Sequence, residues 1–186
     1  GNYGSNDDTL RALAKLGIQY DSSFNPAYVD AGCDISLCPS RQCITEKEGV
    51  SLVPVSAIEE VGGAMRPAQV CALSSEEMGH ALVHARREGA GFFNIVNHSF
   101  ELIVRETARA NPIVVDRFEK LCRTIARARG MKSAGFADLS GREKSAALLP
   151  ASRRRYLRRL SEQIWSRFIH EGVGPVPPVA ALDPRK

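Results

Sequence analysis

The residue whose type and position best suit chemistry is His98. It follows the apolar run 92–96, with only Asn97 between, and this run is typical of a buried strand. In α/β folds with parallel strands, catalytic groups lie at the carboxyl ends of the strands. A histidine side chain has an unperturbed pKa of about 6.5, which suits acid or base catalysis near neutrality. The alternative is a histidine that only caps the backbone at a strand end.

Two further polar segments could contribute to a site at the same edge. Asp21 follows a short predicted strand at 18–20 and could orient an arginine, hold a metal or accept backbone N–H groups. The alternative is an aspartate that starts a turn. Residues 1–4, Gly-Asn-Tyr-Gly, form a glycine-flanked loop before a helix, and such loops let backbone N–H groups approach an oxyanion. A plain turn is the alternative for these four residues.

Metal-binding residue types occur without the spacing that defines a metal site. Cys33, Cys38 and Cys43 are five residues apart, whereas structural zinc sites use closer cysteine pairs and a fourth ligand. Buried or loop thiols are the favoured interpretation. His80 and His84 are four residues apart on a predicted surface helix, where a solvated face is favoured over a metal site. The five cysteines are an odd number, which favours a reducing, cytoplasmic compartment over a disulfide framework.

Alternating helices and strands predict an α/β fold with a parallel sheet. Apolar spacing, capping residues and glycine stops predict helices over 7–16, 75–88, 114–129 and 152–170. We expect strands near 50–55, 68–73 and 92–96 to lie parallel in one curved sheet, with the first three helices outside it. A further short strand is expected around Phe136. The segment 21–48 has no clear period and is predicted to be a long loop over the site.

Charge is distributed unevenly along the chain. Residues 139–186 contain ten Lys and Arg against four Asp and Glu, whereas the rest contains fifteen against seventeen. A near-neutral main part argues against a dedicated nucleic-acid binder. No run approaches the ~20 apolar residues of a membrane span. The arginine-rich helix at 152–170 could bind nucleic acid or anionic lipid. We favour the alternative that it docks on the main fold. Docking would use its apolar stripe, which consists of Leu157, Leu160, Ile164, Trp165 and Phe168.

The order of these segments resembles the second half of polysaccharide deacetylases of the NodB-homology type. The matching segments are Gly-Asn-Tyr-Gly at 1–4, Leu-Gly-Ile-Gln-Tyr-Asp-Ser-Ser-Phe-Asn-Pro at 16–26, Leu-Val-Pro-Val-Ser at 52–56 and Ile-Val-Asn-His-Ser-Phe-Glu-Leu at 95–102. The resemblance covers roughly residues 1–139 and implies the C-terminal part of an incomplete (β/α) barrel. We expect a basic helix at 140–171 and a Pro-rich, disordered tail at 172–186 to follow it.

The resemblance also implies roles for individual residues. His98 would be the general acid for the leaving amine, and Asp21 would support an arginine that lies upstream of this chain. Asn2 or Tyr3, with Gly4, would belong to the loop whose backbone N–H stabilises the oxyanion. A divalent metal, often zinc in the family, would be held by upstream residues, and this chain supplies no ligand to it.

The expected activity is therefore metal-dependent removal of N-acetyl groups from carbohydrate. The substrate would be an N-acetylated sugar, and the further partner would be the missing N-terminal half of the same barrel. The chain alone is expected to be inactive. The alternative is a non-catalytic relative, or an inactive barrel fragment, that only binds carbohydrate.

Overall fold

The structure is a computed structural model of the chain with no ligand. It describes residues 3–29, 31–40, 42–104, 108–141, 143–145 and 148–170, without the side chains of 165–170. The predicted helices are confirmed as α1 Asp7–Lys15, α2 Ser75–Arg87, α3 Pro112–Arg127 and α4 Arg153–His170. None of the helices in these described ranges is long and apolar enough to cross a membrane. The predicted tail at 172–186 lies outside the described residues.

Local side-chain capping explains where the helices begin. The side chain of Asn6 accepts a hydrogen bond from the backbone of Thr9, at 2.9 Å, and starts α1. Ser74 and Glu77 form a reciprocal capping box at the start of α2. Pro112 occupies the first turn of α3, where its missing N–H would be unpaired in any case. These caps satisfy backbone groups that a helix leaves open at its amino end.

The strands are short and form two separate sheets. In the first, β1 Tyr20–Asp21 runs parallel to β3 Val50–Leu52, and β2 Thr45–Lys47 runs antiparallel on the other side of β3. In the second, β4 Ala57–Glu59 pairs antiparallel with β5 Met65–Pro67. The protein is thus mixed α/β, as predicted at that level. The described strands do not close into a barrel.

Two predicted strands are wrong. The segment 68–73 forms a turn, in which the backbone N–H groups of Ala72 and Leu73 both donate to the carbonyl of Gln69 at 3.0 Å. The segment 92–96 makes only an isolated parallel bridge, between Val96 and Gln69. Ala68, Val70 and Leu73 are buried in the core without a strand ladder, so an apolar run alone did not distinguish these conformations.

Two predictions for the connecting segments also need correction. The long loop at 21–48 contains β2, which joins β3 through a turn in which Glu48 and Gly49 have φ values of 52° and 79°. Two positive φ values are what a tight hairpin between twisted strands requires. The expected strand around Phe136 is instead a 3-10 turn, Phe136–Asp138, whose phenylalanine ring stacks on Tyr20 at 6.2 Å.

The core has two parts. A smaller cluster packs α1 on the first sheet and consists of Leu10, Phe24, Cys33, Ile35 and Leu52. A larger cluster joins α2 and α3 to the second sheet and consists of Ile58, Ala68, Val70, Leu73, Met78, Ala81, Leu82, Val114 and Leu121. The first sheet and its cluster fix the end of β1, and the larger cluster supports the segment that leads to His98.

Helix α4 docks on the fold through its charged face, which corrects the expected apolar docking. Arg159 is 3% exposed and pairs with Glu77 at 2.7 Å and with Glu60. The apolar residues Leu157 and Ile164 are 60% and 47% exposed. A buried carboxylate requires a paired cation, and Arg159 meets that requirement for Glu77 while also pairing with the partly buried Glu60. The helix therefore presents its arginine to the core and leaves its apolar stripe outward, as far as its side chains are described.

Candidate active site at the carboxyl edge of the strands

The ends of β1 and β3 meet the segment that leads to His98. Beyond the strands, the N–H of Val55 donates to the carbonyl of Phe24 at 2.9 Å, so the parallel alignment continues. On the other side, Ser56 donates its N–H to the carbonyl of Asn94 at 3.0 Å. The isolated β-bridge between Gln69 and Val96, two residues further along this segment, is also parallel. We call the common edge, formed by residues 21–25, 53–56, 69–71 and 94–101, the carboxyl edge.

The side chain of Asn94 connects the segments of the carboxyl edge. Its amide nitrogen donates to the hydroxyl of Ser22 at 2.7 Å and to the carbonyl of Pro54 at 3.1 Å. Its backbone N–H donates to the hydroxyl of Ser56 at 2.9 Å. One residue thus fixes the position of the 94–98 segment relative to the ends of β1 and β3. Hydrogen bonds of this asparagine thus hold the segment in place where strand pairing would otherwise do so.

His98 lies at the start of the 3-10 turn Ser99–Leu102. Its carbonyl accepts a hydrogen bond from the N–H of Glu101 at 3.0 Å, and its side chain makes no capping bond there. The imidazole is partly exposed and stacks on the ring of Phe100, with centroids 5.0 Å apart and planes within 10°. A partly exposed imidazole at the start of this turn can contact a ligand.

Asp21 is engaged in a turn. One carboxylate oxygen accepts the N–H of Ser23 at 2.8 Å, and the other accepts the Ser23 hydroxyl at 2.9 Å. This pattern is an Asx turn, in which an aspartate side chain substitutes for a backbone acceptor. Among the described residues no hydrogen bond joins Asp21 to His98 directly, and the connection between their segments runs through Ser22 and Asn94.

The loop at 3–5 lies beside the same edge. Tyr3 has a φ of 55°, a left-handed conformation that non-glycine residues adopt rarely, and its ring packs on Tyr28 at 5.0 Å. Burial raises the pKa of the Tyr3 hydroxyl, and the nearby side chain of Asn25 opposes that rise. A side chain at Gly4 would meet open space. The predicted oxyanion residue Asn2 lies outside the described residues.

The structure adds residues to this edge that the sequence did not single out. Asn25 is fully buried after β1, and its amide nitrogen has no hydrogen-bond partner in the described part of the chain. Glu101 accepts a hydrogen bond from Gln69 with one carboxylate oxygen, while its other oxygen and the Tyr3 hydroxyl have no partner there. Each such buried group costs about 1–3 kcal/mol. The apolar sequence around them gave no signal of this arrangement.

Glu101 also sets the electrostatics of its neighbourhood. Burial raises the pKa of the Cys71 thiol to about 12, and the nearby carboxylate of Glu101 adds to the effect. The thiol is therefore protonated at neutral pH and is a poor nucleophile. The guanidinium of Arg117 donates to the carbonyl of Cys71 at 3.3 Å and lies 6% exposed in the core. Cys71 is thus part of the packing behind the edge.

The residues that could bind a metal do not form a ligand set. Within the described ranges, no group of three or more His, Cys, Asp or Glu side chains could hold a metal ion. The three cysteines of the long loop have separate partners: Cys33 contacts the Ser23 carbonyl, Cys38 the Ser40 hydroxyl and Cys43 the Thr45 hydroxyl. The described residues therefore offer no ligand set for the metal that the resemblance implies.

A small cavity lies between α2 and the second sheet and touches the carboxyl edge only at Ser56. Its volume is about 20 Å³, which is room for one water molecule rather than a sugar. Ser56, His84, Phe92 and Leu149 are among its lining residues. Nε2 of His84 is buried without a partner in the described residues, and one water there would satisfy it. His98 is not among its lining residues, so the cavity does not extend the candidate site.

Comparison with family models, curated proteins and solved structures finds no match for this chain.

Proposed function

We propose that this chain is the C-terminal part of a polysaccharide deacetylase-like hydrolase that removes N-acetyl groups from carbohydrate. The observation that supports the proposal most is the convergence at the carboxyl edge. Segments with the deacetylase-like sequences, around Asp21 and His98, end beside each other and are joined by the Asn94–Ser22 hydrogen bond of 2.7 Å. The third such segment, around Tyr3, lies against Asn25 at the same edge.

In this proposal, His98 acts as the general acid. Hydrolysis of an N-acetyl group breaks the bond between the carbonyl carbon and nitrogen, adds water and releases acetate and an amine. The departing nitrogen needs a proton, and the imidazolium form of a partly exposed histidine can supply one. The backbone around Tyr3 and Gly4 would donate to the oxyanion. Asp21 would hold the turn that follows β1.

The proposal includes the divalent metal that the resemblance implies, but the described residues are not its ligands. Because these contain no ligand set, its ligands would have to lie elsewhere in the complete protein. We therefore assign only roles that do not require a metal contact to residues of this chain. His98 should accordingly affect turnover without affecting metal content.

The test is a comparison of His98→Gln with wild type in the complete gene product. The amine released from oligomers of N-acetylglucosamine and N-acetylgalactosamine gives kcat and KM, and elemental analysis gives metal content. We expect kcat to fall about 10²–10⁴-fold with metal content unchanged. His80→Gln is the matched control, because His80 is exposed on α2 and should leave kcat unaltered.

Three outcomes would contradict this assignment. Loss of metal in His98→Gln would make His98 a ligand instead of an acid. Unchanged kcat would make it a residue that only starts the 3-10 turn. Binding of the oligomers by wild type without any amine release would favour the non-catalytic, carbohydrate-binding alternative.

A further inference from the structure

Three apolar side chains of α4 are exposed along one side of the helix. Leu157, Leu160 and Ile164 are 60%, 38% and 47% exposed. Their spacing of three and four residues places them next to one another on a single face of the helix. Exposed apolar residues that are scattered singly are ordinary, whereas a continuous apolar face is typical of an interaction surface. We call these three residues the outer stripe of α4.

Ion pairs on the opposite side of α4 hold the outer stripe towards solvent. Arg159 is buried and pairs with Glu77 at 2.7 Å and with Glu60. Glu162 pairs with Arg117 of α3 at 2.9 Å. A rotation of the helix that buried the outer stripe would break these pairs and leave buried charges without a partner. The exposure of the stripe is therefore a consequence of how α4 docks.

The outward side of α4 also carries positive charge that no carboxylate offsets. Arg153 and Arg154 are exposed and lie within one helical turn of the outer stripe. The ion pairs that α4 forms within the described structure involve only Arg158, Arg159 and Glu162. Glu162 is the only acidic residue among the described side chains of α4, and its carboxylate faces α3. Aliphatic surface and unpaired arginines thus occur together.

This combination matches the surface of an anionic lipid bilayer. An amphipathic helix on such a surface buries its aliphatic side chains at the boundary between headgroups and acyl chains, while its arginines contact lipid phosphates. A nucleic acid offers phosphates but no apolar layer that would cover the outer stripe. A second copy of the chain could cover the stripe, but it would bring the like charges of two helices into one interface.

We propose that the outer stripe, together with Arg153 and Arg154, binds an anionic lipid bilayer. The helix lies along the headgroup region, and its buried face with Arg159 stays attached to the protein. This inference is independent of the proposed hydrolase, because none of these residues belongs to the carboxyl edge. It assigns a partner to the part of α4 that the ion pairs with the main fold leave unused.

Co-sedimentation of the complete gene product with lipid vesicles tests the proposal. The vesicles consist of phosphatidylcholine alone, or of phosphatidylcholine with one third phosphatidylglycerol. We expect binding to the anionic vesicles only. Leu157→Gln with Ile164→Gln should weaken it at least about tenfold, because two aliphatic side chains no longer leave water. Arg153→Gln with Arg154→Gln should weaken it roughly 25-fold, since each arginine near an anionic surface strengthens binding about fivefold.

Two variants on α2 are the matched controls. Val83→Gln changes an aliphatic side chain that is 45% exposed, and Arg86→Gln with Arg87→Gln removes the same charge from another exposed arginine pair. Both should retain most of the vesicle binding. Glutamine is a good helix former, so all variants should keep the circular dichroism of wild type.

Several results would overturn the proposal. Absence of vesicle binding would mean that the stripe is covered in the complete protein, and equal binding to both vesicles would mean that charge has no part. Equal losses in the two arginine pairs would show a general charge effect. Binding to a DNA duplex that Leu157→Gln with Ile164→Gln leaves unchanged would assign the arginines to nucleic acid. A dimer that this double variant dissociates in light scattering would assign the stripe to a second copy.

Discussion

Removing Arg159 should destabilise the protein far more than removing the adjacent Arg158. Arg159 and Glu77 are each 3% exposed at their side chains and are 2.7 Å apart, and Arg159 also pairs with Glu60. In Arg159→Ala, one oxygen of Glu77 would lose its only donor, while the other would keep its hydrogen bonds to Ser74. Leaving a buried charge unpaired costs about 3–5 kcal/mol. We expect a value near the lower limit, because Glu60 retains Arg66 at 2.5 Å.

Arg158→Ala is the matched control for this measurement. Arg158 is 59% exposed and pairs with Glu76, and exposed pairs contribute about 0–1 kcal/mol. Urea unfolding of the 186-residue chain at 25 °C, followed by circular dichroism, gives both free energies of unfolding. A double variant, Arg159→Met with Glu77→Gln, should cost less than the sum of the two single changes, since it removes both charges together.

Equal, small effects of Arg158→Ala and Arg159→Ala would refute the reasoning. They would mean that α4 does not insert Arg159 between Glu60 and Glu77 in solution. A large effect of Arg159→Ala with a changed urea dependence would instead indicate that the variant is no longer two-state, and that α4 unfolds separately.

Two further predictions concern the carboxyl edge. Asn94→Asp should lower the free energy of unfolding in urea more than Asn94→Ala does. The aspartate replaces the amide that donates to Ser22 and Pro54 by a carboxylate facing the Pro54 carbonyl. Equal effects of the two changes would mean that these hydrogen bonds do not hold the segment of Asn94 in place. Burial raises the pKa of the Cys71 thiol from 9.0 to about 12. The buried, protonated thiol therefore contributes fully to the free energy of unfolding below pH ~9, and this contribution is lost as the pH rises towards 12. At pH 9, iodoacetamide should modify the exposed Cys122 well before Cys71, and equal rates by mass spectrometry would contradict its burial.

The helices could be predicted because their signals are local. Asn6 and Ser74 mark the starts of α1 and α2, whereas α3 begins at Pro112, two residues before its predicted start at 114. Gly17 and Gly89 follow the helix ends with φ values of 74° and 71°, where glycine avoids the cost of a left-handed conformation. Caps and stops of this kind depend on neighbours in the chain. They do not require knowledge of the tertiary structure.

The strands could not be predicted as well, because pairing depends on distant segments. The run 68–73 has the composition of a strand, but Ala72 and Leu73 donate to the carbonyl of Gln69 and close a turn. Conversely, β2 is polar and was assigned to a loop. Its pairing depends on the tight turn at Glu48 and Gly49 and on the neighbouring strand β3. Composition therefore did not distinguish strand from non-strand at 68–73 or at β2.

The candidate site was predictable in outline only. The sequence predicts that the end of β1 and the segment before His98 meet at one edge. In the structure the side chains of Ser22 and Asn94 are hydrogen-bonded at 2.7 Å, and a site formed by Asp21 and His98 stays a prediction. Asn25 and Glu101 were not anticipated, because each is an ordinary polar residue until the fold buries it. The exposure of Leu157, Leu160 and Ile164 on α4 was not anticipated for the same reason. The burial of Arg159 depends on carboxylates far away in sequence.

Some of the buried polar atoms without a hydrogen-bond partner in the described structure lie at the carboxyl edge. Tyr3, Asn25, Asn97 and Glu101 each bury an unpartnered polar atom in the described structure, and all four lie on the loop or the segments around His98. Such groups cost about 1–3 kcal/mol each, and ordinary packing removes them. Six further residues in the described part of the chain also bury such an atom, namely Ser5, Gln42, Glu76, His84, Arg117 and Glu143. At the carboxyl edge, a ligand that completed these hydrogen bonds would offset their cost, which is consistent with the proposed site.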